Sequence, residues 1–304
     1  MLGTILRSFW PHLRRRKALA AGQTCLFLVA VQSGLAFAKP QDPLGDASTR
    51  PKPIQSPMTI AERSNYLATS KEVDVNEFLE QIDRMSPLAQ RIQIGRTHEG
   101  RALWALVLAK EPNVRLPLAA EDPRLVIAAI GGIHSGECDG KEAMLALARE
   151  VAKGAKPEWL EQAVLVLIPN FNADGNERVG PMHRPGQEGP ALGMGTRENA
   201  FGQDLNRDFV KLDTMEVRSL VRMLDAWNAD VLIDAHTTNG SLHRYDMTYS
   251  FPHSPAADPE TIAWLKRELL PTVSKRMTDR GAPIFPYGNF NRDQTVRSEE
   301  HTSE

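Results

Sequence analysis

Three short stretches of this chain are apolar almost from end to end, and they limit the fold more than any other feature. They lie between Arg124 and Ile130, from Ala163 to Asn170 ("AVLVLIPN"), and from Asp230 to His236 ("DVLIDAH"). A strand with one wet face alternates apolar and polar residues, whereas a continuous apolar run marks a strand buried on both faces. Around these runs, Val75–Met85, Lys141–Ala152, Thr214–Trp227 and Glu260–Arg280 space their apolar residues as helices do. Gly95–Ala109 reads as a turn followed by a strand. Buried strands alternating with amphipathic helices predict an α/β protein, with a largely parallel sheet covered on both faces. Sites in such sheets collect at the carboxyl ends of strands. His134, Asn170 and His236 all fall just past the end of an expected strand.

The ends of the 304-residue chain read differently from its middle. Residues 1–38 combine a basic start (Arg7, Arg14, Arg15, Arg16, Lys17), a mostly apolar stretch and Ala36-Phe37-Ala38, which is the pattern of a secretory signal peptide. The expected location is therefore secreted or periplasmic, with no stable membrane association after cleavage. Residues 39–58 are rich in Pro, Ser, Asp and Gln and read as a flexible linker. Residues 297–304, "RSEEHTSE", are polar and aperiodic and resemble a translated sequencing adapter. They are read as a non-native tail, with the natural chain continuing past Val296. Between them, residues 59–296 form one expected catalytic domain. The formal net charge of −2 gives no electrostatic case for nucleic acid. Cys25 leaves with the signal, so Cys138 has no internal disulfide partner and reads as a small packing residue.

His134 and Glu137 follow the first apolar run through Gly131-Gly132. Their H-x-x-E spacing suits two ligands of a metal ion, and a capped loop is the alternative. Spacing alone is a weak signal: His301 and Glu304 match it as well, in the polar tail. A hydrolytic zinc site takes three protein ligands and keeps one position for water. His236, at the end of the third run, is the expected third ligand; His183, His243 and His253 compete with it, but none directly ends a buried strand.

Four segments in order, "GGIHSGE", "PNFNADGNER", "GQDLNRDF" and "IDAHT", resemble the zinc carboxypeptidase family of carboxypeptidase A- and B-like metallopeptidases. The similarity runs from about Ile60 to Val296. It implies a three-layer α/β/α sandwich with a mixed, largely parallel central sheet, whose final part lies beyond this chain. It also implies one zinc ion per chain, held by His134, Glu137 and His236. Asn206 and Arg207 match the family's grip on the terminal carboxylate of a peptide, a task suited to a planar guanidinium fork and an amide donor. Asp204 matches an aspartate that orients a ligand histidine, here His134. An arginine that stabilises the oxyanion has unusual spacing here, and Arg197 is preferred to Arg184.

The family's general-base glutamate has no counterpart motif, since Glu299 and Glu300 follow no apolar strand, and no catalytic base is assigned. Tyr245, Tyr249 and Tyr287 are expected only to pack. The implied function is an exported zinc-dependent carboxypeptidase that removes C-terminal residues from peptides carrying a free carboxylate. The alternatives are a zinc deacylase of N-acyl amino acids, related to aspartoacylase and succinylglutamate desuccinylase, and a non-catalytic peptide-binding module.

Overall fold

Each of the three apolar runs forms a strand. They become β4 (Leu125–Gly131), β5 (Ala163–Ile168) and β6 (Val231–Ala235), which pair in parallel in the order β6-β4-β5. The computed structural model describes residues 27–29, 56–187, 189–238, 245, 247–252, 256–287, 289–290 and 296–297. The segments read as signal, linker and tail lie almost wholly outside these residues.

Before β4 come β1 (Phe27–Val29), β2 (Ala89–Arg96) and β3 (Ala102–Leu108). The sheet order is β1-β6-β4-β5-β3-β2. β1 runs parallel to β6, while β3 is antiparallel to both β5 and β2. The sheet is thus mixed, as the resemblance implies. β2 is an addition to the sequence reading: the stretch before the Thr97–Arg101 turn is a strand, and the two form a hairpin.

Alternate residues of β4 divide the interior into two cores. Leu125, Ile127 and Ala129 face one side, with Leu79 and Ile82 of helix α1 (Glu72–Met85) and Leu145 and Ala148 of helix α2 (Cys138–Ala152). Val126, Ala128 and Ile130 face the other, with Val217, Leu220 and Leu224 of helix α3 (Met215–Ala226). This division gives three layers. It follows from the two-residue repeat of a strand, which sends successive side chains to opposite faces.

The segment read as one helix over Glu260–Arg280 is continuous but not uniform: Pro259–Trp264 and Leu270–Thr278 flank a π-helical turn, Leu265–Leu269. Pro271 has no N–H to give to the preceding turn, which accounts for a widened turn just before it. Among the described residues, no helix is long and apolar enough to cross a membrane.

One polar group is buried against expectation. Glu216, in the first turn of α3, is fully buried, and among the described residues neither carboxylate oxygen has a well-formed hydrogen-bond partner. Its Oε2 lies 3.9 Å from Nε2 of His98, on the β2–β3 turn. Burial pushes this carboxyl above its ordinary range, and the charge of Asp174 adds to the effect. The folded state therefore binds more protons than the unfolded state once pH exceeds the usual carboxyl range, and stability falls as pH rises through the raised value. Glu216→Gln removes that loss. Thermal melts should show the variant more stable than wild type at pH 7.5, with the gain shrinking toward pH 4; an equal gain at both would contradict the assignment.

Candidate metal centre

The carboxyl ends of β4 and β6 bring His134, Glu137 and His236 together. His134 lies three residues past β4, beyond Gly132, whose φ of +65° turns the chain sharply. Glu137 is the residue before α2, and His236 directly follows β6. One ligand atom from each lies within 4.8 Å of the others. His134 and Glu137 are buried, and the His236 side chain is 14% exposed.

Both histidines present the same nitrogen to the centre. Nδ1 of His134 lies 2.8 Å from Glu137 Oε1, and Nδ1 of His236 lies 2.7 Å from Glu137 Oε2. Both also anchor the other nitrogen on a carboxylate: His134 Nε2 on Asp204 Oδ1 at 3.0 Å, and His236 Nε2 on Asp234 Oδ2 at 2.9 Å. A neutral imidazole whose Nε2–H donates outward has a lone pair at Nδ1. That lone pair then faces a carboxylate oxygen, acceptor against acceptor, an arrangement relieved by a proton or a metal cation between them. The donor set, two imidazoles and a carboxylate with carboxylates behind the rings, fits zinc.

The electrostatics point the same way. Burial acts to raise the Glu137 carboxyl, but His236 and His134 outweigh it and hold it well below the usual range. Burial acts to lower His236, but Asp234 and Glu137 outweigh it and push the imidazole well above its usual range. Burial also opposes the shift at Asp204, where His134 and Arg197 keep the carboxyl far below the ordinary value.

Asp204 organises a second group of side chains beside His134. Its Oδ1 also accepts the backbone N–H of Asn206 at 2.9 Å, capping the short 3₁₀ turn Leu205–Arg207. That turn brings Asn206 Nδ2 to 3.5 Å from His236 Nε2. Arg207 is exposed on the same turn, its NH1 donating to the Asn206 carbonyl at 3.1 Å. Arg197 Nε donates to Asp204 Oδ2 at 3.0 Å, and its NH1 lies 3.4 Å from His134 Nδ1. Asn172 ties the loops together: its Nδ2 donates to the carbonyls of Ile133 and Arg197, and its Oδ1 accepts from Gly175 N–H.

The structure thus gathers His134, Glu137, His236, Asp204, Asn206, Arg207 and Arg197 at one edge of the sheet. His183 turns away, its Nδ1 lying 3.1 Å from the Met194 carbonyl, while His243 and His253 lie outside the described residues. Sequence reasoning overlooked Asp234, although a D-x-H pair on a strand puts both side chains on one face. It also overlooked the contact of Arg184 NH2 with Glu137 Oε1 at 2.8 Å and that of Thr237 N–H with Glu137 Oε2 at 3.0 Å.

A mixed sheet with a His–Glu–His cluster at its carboxyl edge defines an α/β protein with a candidate mononuclear metal site. The sequence profile of the zinc carboxypeptidase family matches residues 75–301. The chain belongs to this zinc-dependent family of hydrolases. It is 30% identical to mouse (Mus musculus) carboxypeptidase D over 213 residues, which is 62% of this chain but 15% of that protein. It is 22% identical to the human (Homo sapiens) carboxypeptidase N catalytic chain over 228 residues, 64% of this chain and 46% of that one. The chain therefore spans less than half the length of either relative. Among solved structures, a metallo-carboxypeptidase from Burkholderia cenocepacia superposes with a TM-score of 0.54 at 19% identity, over 76% of this chain and 56% of that chain. Bovine thrombin-activatable fibrinolysis inhibitor, in complex with tick carboxypeptidase inhibitor, superposes with a TM-score of 0.52 at 16% identity, over 73% and 77%. Both share the fold.

Losing the carboxylate behind His236 should weaken metal binding without touching a ligand. Asp234→Ala should lower zinc affinity about 10–100-fold, measured by competition with a chromophoric chelator. Unchanged affinity would remove Asp234 from the site.

Proposed function

We propose that this chain is an exported zinc carboxypeptidase acting on peptides with a free C-terminal carboxylate, with one zinc held by His134, Glu137 and His236. The observation behind this reading is the convergence of those three ligand atoms within 4.8 Å, with the Asn206–Arg207 turn capped by the aspartate that orients His134. When bound, zinc would supply a Lewis acid and lower the pKa of a water to about 7.

The chain's own residues do the rest. Asp204 and Asp234 fix both imidazoles so that Nδ1 faces the centre. Arg197 is the oxyanion donor: Asp204 fixes its guanidinium, and NH1 reaches toward the centre. Arg184 is the weaker candidate for that role because its NH2 is already engaged by Glu137. Asn206 and Arg207 would receive the terminal carboxylate, and that requirement for a free chain end would make the cut an exopeptidase cut. Among the described residues, the acids around the site, Glu137, Asp204, Asp234 and Asp139, all hold histidine, arginine or threonine partners, so none is assigned as the general base. Export is supported by the basic, apolar and A-x-A pattern of residues 1–38. A zinc deacylase would use the same ligands, but the relatives found are carboxypeptidases.

Two measurements test this reading. Protein prepared without chelators should carry one zinc per chain, and His236→Ala should abolish it; metal-free wild type would refute the ligand assignment. In the zinc-loaded chain, Arg207→Ala should cost about 1.5–3 kcal/mol of binding to a free-acid peptide. The same variant should leave binding of the C-terminally amidated peptide unchanged. Equal losses for the two peptides would remove Arg207 from the carboxylate clamp.

A further inference from the structure

Arg184 is buried beside the cluster, and the proposed chemistry gives it no task. Its surroundings are specific. NH2 donates to Glu137 Oε1 at 2.8 Å, and Nε donates to Gln187 Oε1 at 3.0 Å. Gln187 Nε2 in turn donates to the Thr238 carbonyl at 2.6 Å, two residues past His236. Arg184 and Gln187 belong to one tight turn, closed by Gln187 N–H to the Arg184 carbonyl at 2.9 Å. A two-residue strut therefore joins the ligand that begins α2 to the segment after the ligand that ends β6.

The path of this strut is built into the ligand loop. A Cβ at Gly136 would lie 2.5 Å from Arg184 Cγ and 2.8 Å from the Gly195 carbonyl oxygen. The residue between Ser135 and Glu137 must therefore lack a side chain for the arginine to cross. The crossing is further tied down where Ser135 N–H donates to the Thr196 carbonyl at 3.0 Å.

The two oxygens of Glu137 are consequently served alike. Oε1 accepts from Arg184 on its outer side and faces His134 Nδ1 on its inner side. Oε2 accepts from Thr237 N–H on its outer side, at 3.0 Å, and faces His236 Nδ1 on its inner side. A carboxylate oxygen has two lone pairs. With one spent on an outer donor, the other is left directed at the centre.

We propose that Arg184, braced by Gln187, is a positioning residue of the metal centre: it fixes the Glu137 carboxylate through Oε1 so that both oxygens keep a lone pair aimed between the two histidines. This assignment rests on the reading of His134, Glu137 and His236 as zinc ligands. It gives Arg184 a role distinct from that of Arg197, whose guanidinium is held by Asp204 and reaches toward His134 Nδ1.

The test is metal binding by the whole chain. Wild type, Arg184→Gln, Arg184→Lys and Gln187→Ala are stripped, checked for a folded thermal transition, and titrated with zinc against a chromophoric chelator. Cobalt(II) is then substituted and the visible ligand-field spectrum recorded. Arg184→Gln should lower zinc affinity about 10–100-fold and alter the cobalt spectrum. Arg184→Lys, which keeps a cationic donor, should recover part of the affinity. Gln187→Ala should show a smaller loss in the same direction, and it decides the question if Arg184→Gln does not fold. Wild-type affinity and an unchanged cobalt spectrum in a folded Arg184→Gln or in Gln187→Ala would overturn the assignment. So would tighter zinc binding by Arg184→Gln, which would mean that the guanidinium merely repels the metal. Failure of wild type itself to bind zinc at one per chain would overturn the ligand reading instead, so the two failures are distinguishable.

Discussion

The buried carboxylate of Glu137 is the point on which the site turns. Removing an ionised carboxylate from water is costly unless charge and hydrogen bonds are supplied in return. Here four groups converge on it: two imidazoles, a guanidinium and the Thr237 amide. Two of these groups arrive from the segment after β6, one from the loop after β4, and one from the turn at Arg184. A single side chain thereby fixes how three distant stretches of the chain meet. The sheet makes this meeting possible, because parallel pairing of β4 with β6 places both carboxyl ends at one edge.

The histidines are held from behind by carboxylates, and the surrounding structure exists largely to position those carboxylates. Asp234 sits on β6, so its location is set by the same pairing that sets His236. Asp204 has no such support from a strand. It owes its place to the 3₁₀ turn that it caps, to Arg197, and through Asn172 to the loops that carry Ile133 and Arg197. One ring is oriented by the sheet and the other by a loop network. The loop network also carries Asn206, Arg207 and Arg197, proposed to meet substrate, so substrate binding would share one scaffold with the posture of His134.

How much of this was legible in the sequence depended on distance along the chain. The three apolar runs announced β4, β5 and β6 because burial on both faces leaves an unbroken pattern. β2 gave little signal: it lies at the edge of the sheet and its residues are mostly half-buried, with the Arg91 guanidinium lying over the Trp104 ring at 4.2 Å. α2 starts at Cys138, ahead of the helical spacing at Lys141, because its first turn includes polar Asp139 and Gly140. The three proposed ligands, with Asp204, Asn206 and Arg207, stood out as ordered motifs resembling one family. The hold of Arg184 on Glu137 was not, since those residues are 47 positions apart and no periodicity links them.

The passage of Arg184 over Gly136 has an evolutionary reading. Because the arginine's side chain and the Gly195 carbonyl oxygen together fill the space a methyl group at 136 would need, position 136 is not free to change alone. A lineage that gained a side chain between Ser135 and Glu137 would first have to shorten or redirect the residue at 184. Loss of the arginine alone would not free position 136, because the Gly195 carbonyl oxygen would still lie 2.8 Å from a Cβ there. Glycine at 136 should therefore persist across homologues that keep this loop pairing, even where position 184 varies, leaving a record of the contact in sequences whose folds no one has determined.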